Sequence, residues 1–295
     1  MDLVVGATGL VGQQVALGLR RQGRGVRALV RGGRHHDKAA PLLAAGVEIV
    51  DADLTKPESL PSACAGVETI LSTATSMPHA KDDGLRRVDH DGTLALIDSA
   101  ERAGVHHFVY TSYSGNLRTD SPLETAKRDC EKRLLSSRMR ITILRPSYFM
   151  EMWLSPALGF DPANGRARIY GSGEGKVSYI SVRDVVAFAL AVAANPSHPS
   201  AILEMGGPEA LSQLDAVGIF ERTLGGKVEV DRVPLAALED QHRSADPLQK
   251  TFAALMIGYA KGDDIPGSME TARRYGVTLH SIAGYAAAGQ KAATA

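Results

Sequence analysis

Short apolar runs alternate with amphipathic stretches through the first half of the chain. Leu3-Val4-Val5 is followed by apolar positions at Val11, Val15 and Leu19, a recurrence that predicts one face of a helix. The alternation then repeats. Apolar runs at 25–30, 47–50, 68–73, 106–111 and 140–145 predict further strands, with helices between them near 38–45, after Pro57, at 85–103 and at 123–136. Strands rich in Val, Ile and Leu separated by helices predict βαβ units and a parallel sheet buried on both faces. Right-handed crossovers then make the fold α/β, with a doubly wound parallel sheet.

Beyond Pro146 the rhythm is lost. Residues 147–176 hold Trp153, Pro156, Pro162 and later glycines without clear periodicity, and read as a loop-rich stretch. Within it, Gly171 to Lys176 has no preceding strand or following helix and reads as a mobile substrate-side loop. Ser181-Val182-Arg183-Asp184 has the form of a capping box that opens an apolar helix over 185–194. A turn at 196–199, a strand at 201–205 and a helix at 211–224 follow, and the alanine-rich end from Ala286 is expected to fray. The division expected is 1–150 with 177–207 as a nucleotide-binding domain, and 151–176 with 208–295 as a small, non-contiguous substrate lobe.

In a doubly wound sheet the ligand lies beyond the carboxyl ends of the strands. Gly6, Arg31, Asp53, Thr73, Thr111 and Pro146 all fall at such ends. Gly6, Gly9 and Gly12 are spaced three and three, not the two and three of the usual dinucleotide fingerprint. Gly6 would allow a tight turn, Gly9 a close approach to a pyrophosphate, and Gly12 close packing of helix on strand.

Composition narrows the partners. The 295 residues carry 33 Lys and Arg against 33 Asp and Glu, so nothing favours nucleic acid or an anionic membrane, and a small-molecule substrate is expected. No apolar stretch is long enough to span a bilayer, and with the first strand beginning almost at Met1 no secretory signal is expected. Cys64 and Cys130 lack metal-ligand spacing and fit a reducing cytoplasm. The adjacent pairs His35-His36 and His106-His107 do not share a helix face, so no metal site is expected. The oligomeric state, monomer or dimer, is open.

Taken together, GATGLVG (6–12), ALVRGG (28–33), DADL (51–54), VDHDGT (88–93), GVHHFVYTS (104–112), ILRPSYFMEMW (143–153) and YISVRDVVAFA (179–189) resemble the short-chain dehydrogenase/reductase superfamily in its atypical NmrA-like branch. The resemblance covers roughly the first 210 residues and implies a Rossmann fold and NADP(H) as cofactor. It places Gly6, Thr8, Gly9, Leu10, Val11 and Gly12 in the phosphate loop, Asp53 and Leu54 beside the adenine, and Thr73, Ala74 and Thr75 along the nicotinamide ribose. Arg31, at the end of the second strand, would receive a 2′-phosphate with help from Arg34, where an acidic residue would select NAD.

The resemblance also implies that Lys127 holds the nicotinamide ribose. The family's tyrosine, four residues before that lysine, is replaced here by Leu123, which has no proton to give. Tyr113, in Thr111-Ser112-Tyr113-Ser114, is the first candidate to supply a phenol, and Tyr148 the second, with a place beside the cofactor. Both could instead simply wall the pocket. A quinone or an activated alkene would tolerate the loss of the acid better than an ordinary ketone, since a positioned acid contributes about 10²–10⁴-fold. The expected activity is therefore an NADPH-dependent oxidoreductase acting on a small organic acceptor. The alternative is an NADP(H)-sensing regulator without turnover.

Overall fold

Burial on both faces decides the first half of the chain. β1 (Asp2–Val5) and β4 (Thr69–Ser72) are buried at every position, so their runs of apolar residues can be satisfied only in the middle of a sheet with helices on each side. The computed structural model describes residues 1–78, 80, 83–195 and 197–293. In chain order the elements that frame the sheet are β1, α1 (Leu10–Arg21), β2 (Val26–Val30), α2 (Ala40–Ala44), β3 (Glu48–Asp51), α3 (Leu60–Cys64), β4, α4 (Thr93–Arg102), β5 (His107–Thr111), α5 (Pro122–Leu135) and β6 (Arg140–Pro146). Among the described residues they form a seven-stranded sheet in the order β3-β2-β1-β4-β5-β6-β9, with β9 being Ala201–Met205. β1 pairs in parallel with β2 on one side and with β4 on the other, so the strand order reverses at β1 and opens the crevice there. The doubly wound α/β sheet is as expected.

One face of the sheet buries Leu3, Val5, Ile70, Phe108, Tyr110 and Ile143 against Leu60 of α3, Leu96 and Ile97 of α4, and Cys130 and Leu134 of α5. On α1, a Cβ on Gly18 would lie 2.6 Å from Leu190 Cδ1, which shows how closely α7 (Val182–Ala194) approaches that helix. Burial pushes the Cys64 and Cys130 thiols up to about 11, so neither is a ready nucleophile.

The chain divides into two compact units, residues 1–112, 122–144 and 186–203, and residues 113–121, 145–185 and 204–295. Residues 113–121, 145–150, 177–185 and 204–207 were expected in the nucleotide-binding part but belong to the second unit. The reason is packing: Tyr148, Met150, Val177 and Tyr179 share a core with Phe160, Ile169, Phe220 and Tyr259.

The supposedly loop-rich stretch of the second unit contains α6 (Met150–Trp153), β7 (Phe160–Asp161) and β8 (Arg166–Tyr170), and β8 pairs in parallel with β10 (Glu229–Val233). Helices α8 (Gln213–Leu224), α9 (Leu235–His242), α10 (Pro247–Lys261), α11 (Ser268–Tyr275) and α12 (Ile282–Ala293) complete it. Ala286 is buried in this core and lies within α12, so the chain is helical where fraying was expected to begin. Pro196, in the expected turn, lies outside the described residues.

Two local readings are corrected. The segment Gly171 to Lys176 is tied down rather than mobile. The Leu214 amide donates to Gly173 O, the Asp263 amide donates to Lys176 O at 2.7 Å, and a Cβ on Gly175 would lie 2.6 Å from Ala260 O. The start of α7 is capped from a distance: Glu151 accepts from the Ser181 hydroxyl at 2.6 Å and from the Val182 amide at 2.9 Å. Asp184 is instead paired with His280 Nδ1, so it is unavailable for the expected box. No helix among the described residues is long and apolar enough to cross a membrane.

His107, buried at the start of β5, makes stability depend on pH. Arg140 donates to its Nδ1 at 2.8 Å, and its Nε2 therefore donates to Thr142 Oγ1 at 3.0 Å, an arrangement only a neutral ring can make. Burial first, and the Arg140 charge second, lower its pKa to about 3. The unfolded chain, with an ordinary histidine, binds the extra proton first, so this contribution is complete above about pH 6.5 and is lost as pH falls toward 3. Urea unfolding should show stability falling by about 1.4 kcal/mol per pH unit from this group in that window. The His107→Gln protein should lack that part of the slope; identical slopes in both proteins would contradict the assignment.

Candidate functional site

The turn after β1 is shaped by what its glycines lack. Gly6 takes φ +86°, and a Cβ there would lie 2.8 Å from both the Ala74 amide nitrogen and Thr73 Oγ1. A Cβ on Gly12 would lie 2.2 Å from Gly6 O, closer than any real contact, so the first turn of α1 rests directly on the turn that precedes it. Thr73 completes the junction, its amide donating to Val5 O at 2.9 Å and its hydroxyl to the same oxygen at 3.2 Å. Gly9 differs. It is exposed, and the one nearby atom a Cβ would meet is Gly6 O at 3.2 Å.

As N-cap of α1, Gly9 is extended and supplies no side-chain acceptor, and the first turn contains no acidic residue. The amides of that turn have no side-chain cap, and the positive end of the helix dipole lies behind them, the setting in which a helix N-terminus can receive an anion. Leu10, exposed, and Val11, half-buried, follow in the first turn of α1.

This turn opens on a cleft of about 800 Å³ in the first unit. Of the residues expected there, Gly6, Thr8, Arg31, Asp53, Leu54, Ala74 and Thr75 line it. Gly12 and Thr73 stand behind the wall and hold it together. Asp53 Oδ1 accepts from the Thr55 amide at 2.9 Å, which fixes the turn after β3. Sequence reasoning missed His36, Ser76, Arg87 and Val88, which also line the cleft, and named Arg34, which is not among the lining residues.

Arg87 and Val88 come from a π-helical segment, Leu85–Gly92, that leads into α4. Its wider turn sends Arg87 and Val88 to the cleft and Asp89 inward, where the carboxylate accepts from the Ser76 amide at 2.9 Å and the Ser76 hydroxyl at 2.5 Å. A Cβ on Gly92 would lie 2.4 Å from Leu54 O, so this segment packs on the DADL turn. An aspartate in a helical stretch beside apolar positions was the one sequence signal for this support.

Lys127 is 6 % exposed, its Nζ donates to Thr111 O at 3.2 Å and lies 5.0 Å from the Tyr110 ring centroid, at the carboxyl end of β5. Its neighbour Glu131 accepts from Arg128 at 2.8 Å. Leu123 is buried one turn earlier.

Tyr113 and Tyr148 belong to the second unit. Tyr113 Oη lies 3.4 Å from Thr119 Oγ1, which is 2.9 Å from Ser121 Oγ. Tyr148 is buried against Trp153 and Tyr259, its hydroxyl donates to Leu255 O at 3.0 Å, and burial raises its phenol well above the ordinary value. That makes Tyr148 a packing residue and the weaker of the two proton-donor candidates. No group of three or more His, Cys, Asp or Glu suited to a metal occurs among the described residues.

The NmrA-like family model matches residues 3–260. The chain belongs to the NmrA-like family. This NmrA-like protein is 32% identical over 278 residues to the NAD(P)H azoreductase of Xenophilus azovorans, spanning 90% of this chain and 92% of that protein. It is 32% identical over 244 residues to the photosystem II assembly factor Ycf39 of Trieres chinensis, spanning 80% of this chain and 73% of that protein. Its fold is that of Citrobacter sp. triphenylmethane reductase complexed with NADP(H), at a TM-score of 0.80 and 22% identity over 98% of this chain and 99% of that one.

The glycine turn can be tested through stability alone. Gly12→Ala should cost about 1–3 kcal/mol in urea unfolding, because backbone has to move to admit the methyl group. Gly9→Ala should cost clearly less. Equal losses would show that the close contact of α1 with the turn is not what Gly12 provides.

Proposed function

We propose that this NmrA-like protein is an NADPH-dependent reductase of a small organic acceptor such as a quinone, an azo compound or an activated alkene. The observation that carries this reading is Arg31 lining the same cleft as Gly6 and Thr8. A guanidinium at the end of β2 offers paired donors to a 2′-phosphate, while the uncapped amides of α1 receive the pyrophosphate. The glycine cradle fits such a group, since a side chain at Gly9 would stand where the anion has to approach. The azoreductase, and the Quinone oxidoreductase 2 of Escherichia coli at 31% identity over 89% of each chain, support the same chemistry.

NADPH, when bound, supplies the hydride. The protein's part is to hold and orient, and to deliver a proton. Asp53 and Leu54 flank the adenine, Thr73 to Thr75 border the nicotinamide ribose, and Lys127 contributes a fixed positive charge at the end of β5. With Leu123 unable to act, Tyr113 is the proton source, replenished through the Thr119 and Ser121 hydroxyls.

A second reading, an NADP(H)-responsive binding protein without turnover, is favoured by Leu123 and by the likeness to Ycf39. The two readings separate by assay. Loss of NADPH absorbance with quinones or azo dyes is expected; tight NADPH binding with no turnover across the panel would favour the binding protein.

Arg31→Ala should weaken NADPH by about tenfold or more and NADH by little, the loss of a charge-assisted pair. Equal losses for the two would refute the role of Arg31. Tyr113→Phe should lower kcat about tenfold or more with KM for NADPH unchanged, and an unaltered kcat would remove Tyr113 from the reaction.

A further inference from the structure

The loop after β2 carries Arg31, Arg34, His35, His36 and Lys38, and its folding selects among them. Gly32 and Gly33 take φ +82° and +62°, a pair of left-handed residues that reverses the chain immediately after Arg31. Asp51, at the end of the neighbouring β3, fastens this reversal, its Oδ1 accepting from the Gly32 amide at 2.9 Å. A Cβ on Gly33 would lie 3.2 Å from Asp51 Cβ, so the loop is seated against that side chain. A short 3-10 turn, Gly33–His35, follows, closed by the His36 amide donating to Gly33 O.

The result is that His36 joins Arg31 in lining the cleft while Arg34 and His35 are exposed outside it. His36 Nδ1 accepts from the Lys38 amide at 3.0 Å. A ring nitrogen that accepts carries no proton, so the proton resides on Nε2, leaving that nitrogen a donor.

We propose that His36 is a specificity-determining residue, a second donor to the 2′-phosphate beside Arg31, and that Asp51 is the positioning residue that holds both in place. The proposal rests on the NADPH reading above. It also explains how an aspartate can stand next to a phosphate subsite: its carboxylate is turned to the Gly32 amide, and Asp51 is not among the residues lining the cleft.

Calorimetric titration with 2′,5′-ADP and with ADP tests this without turnover. The wild-type protein should prefer 2′,5′-ADP by at least about tenfold. His36→Ala should lower that preference by about fivefold to tenfold, with ADP affinity within about twofold of wild type. Asp51→Ala should lower it as well, and Asp51→Asn, which keeps the accepting oxygen, should restore most of it. Thermal midpoints near that of wild type would show that each variant is folded.

A wild-type protein that binds the two nucleotides equally would overturn the NADPH reading and this proposal with it. A wild-type preference that His36→Ala leaves intact, or variants that lose both nucleotides alike, would overturn the proposal alone.

Discussion

The contact on which the nucleotide cleft depends is the seating of α1 on the turn that precedes it. Gly12 presents no side chain to Gly6 O, Gly6 presents none to Ala74, and Thr73 ties the end of β4 to Val5 with both of its donors. These three residues bring together the ends of the two strands between which the order of the sheet reverses. The uncapped N-terminus of α1 is thereby held at the mouth of the crevice. A larger residue at Gly6 or Gly12 would separate helix and sheet, and the cleft would lose its floor before any ligand contact was altered.

Charge around that cleft is arranged by the same economy. Three aspartates stand close to it, and each uses its carboxylate to accept a backbone amide: Asp51 from Gly32, Asp53 from Thr55, and Asp89 from Ser76. They shape the turns after β2, β3 and β4, and Arg31, His36 and Arg87 line the cleft together with Asp53. A chain with equal numbers of acidic and basic residues thus creates a locally cationic cleft. It does so by occupying the acids with amides, and no overall excess of positive charge is needed.

This explains how unevenly the sequence reveals the molecule. β1, β2, β4, β5 and β6 are legible because each is mostly buried and followed by a helix, whereas β3, an edge strand with no buried position, is legible from its place in the alternation. The second unit is harder. β7 is two residues long, β10 alternates weakly with mostly exposed residues, and the start of α7 is capped by Glu151, far back in the chain. None of these leaves a local pattern. In the cleft, residues next to glycines and at strand ends are readable, whereas His36 and Arg87 are not. One reaches the site through a reversal fastened by Asp51, the other through a π-helical segment that sets its residues off the expected helix face.

The replacement of the usual tyrosine by Leu123 has to be weighed against the same kind of constraint. Leu123 is buried, and Lys127, one turn on, directs its ammonium to Thr111 O and the Tyr110 ring. α5 therefore carries the lysine but no phenol one turn before it. The segment that begins at Tyr113 is fixed within the second unit: Ser114 donates to Asp263 Oδ1 at 2.7 Å, Asn116 donates to the same oxygen at 3.2 Å, and Gly115 N donates to Glu204 at 2.9 Å. Burial raises the Asp263 carboxyl above its ordinary value, and the donors from Ser114, Ser147 and Asn116 oppose that rise without cancelling it. A buried acid is an expensive way to hold a loop that has only to connect β5 to α5. It fixes the position of the segment that begins at Tyr113.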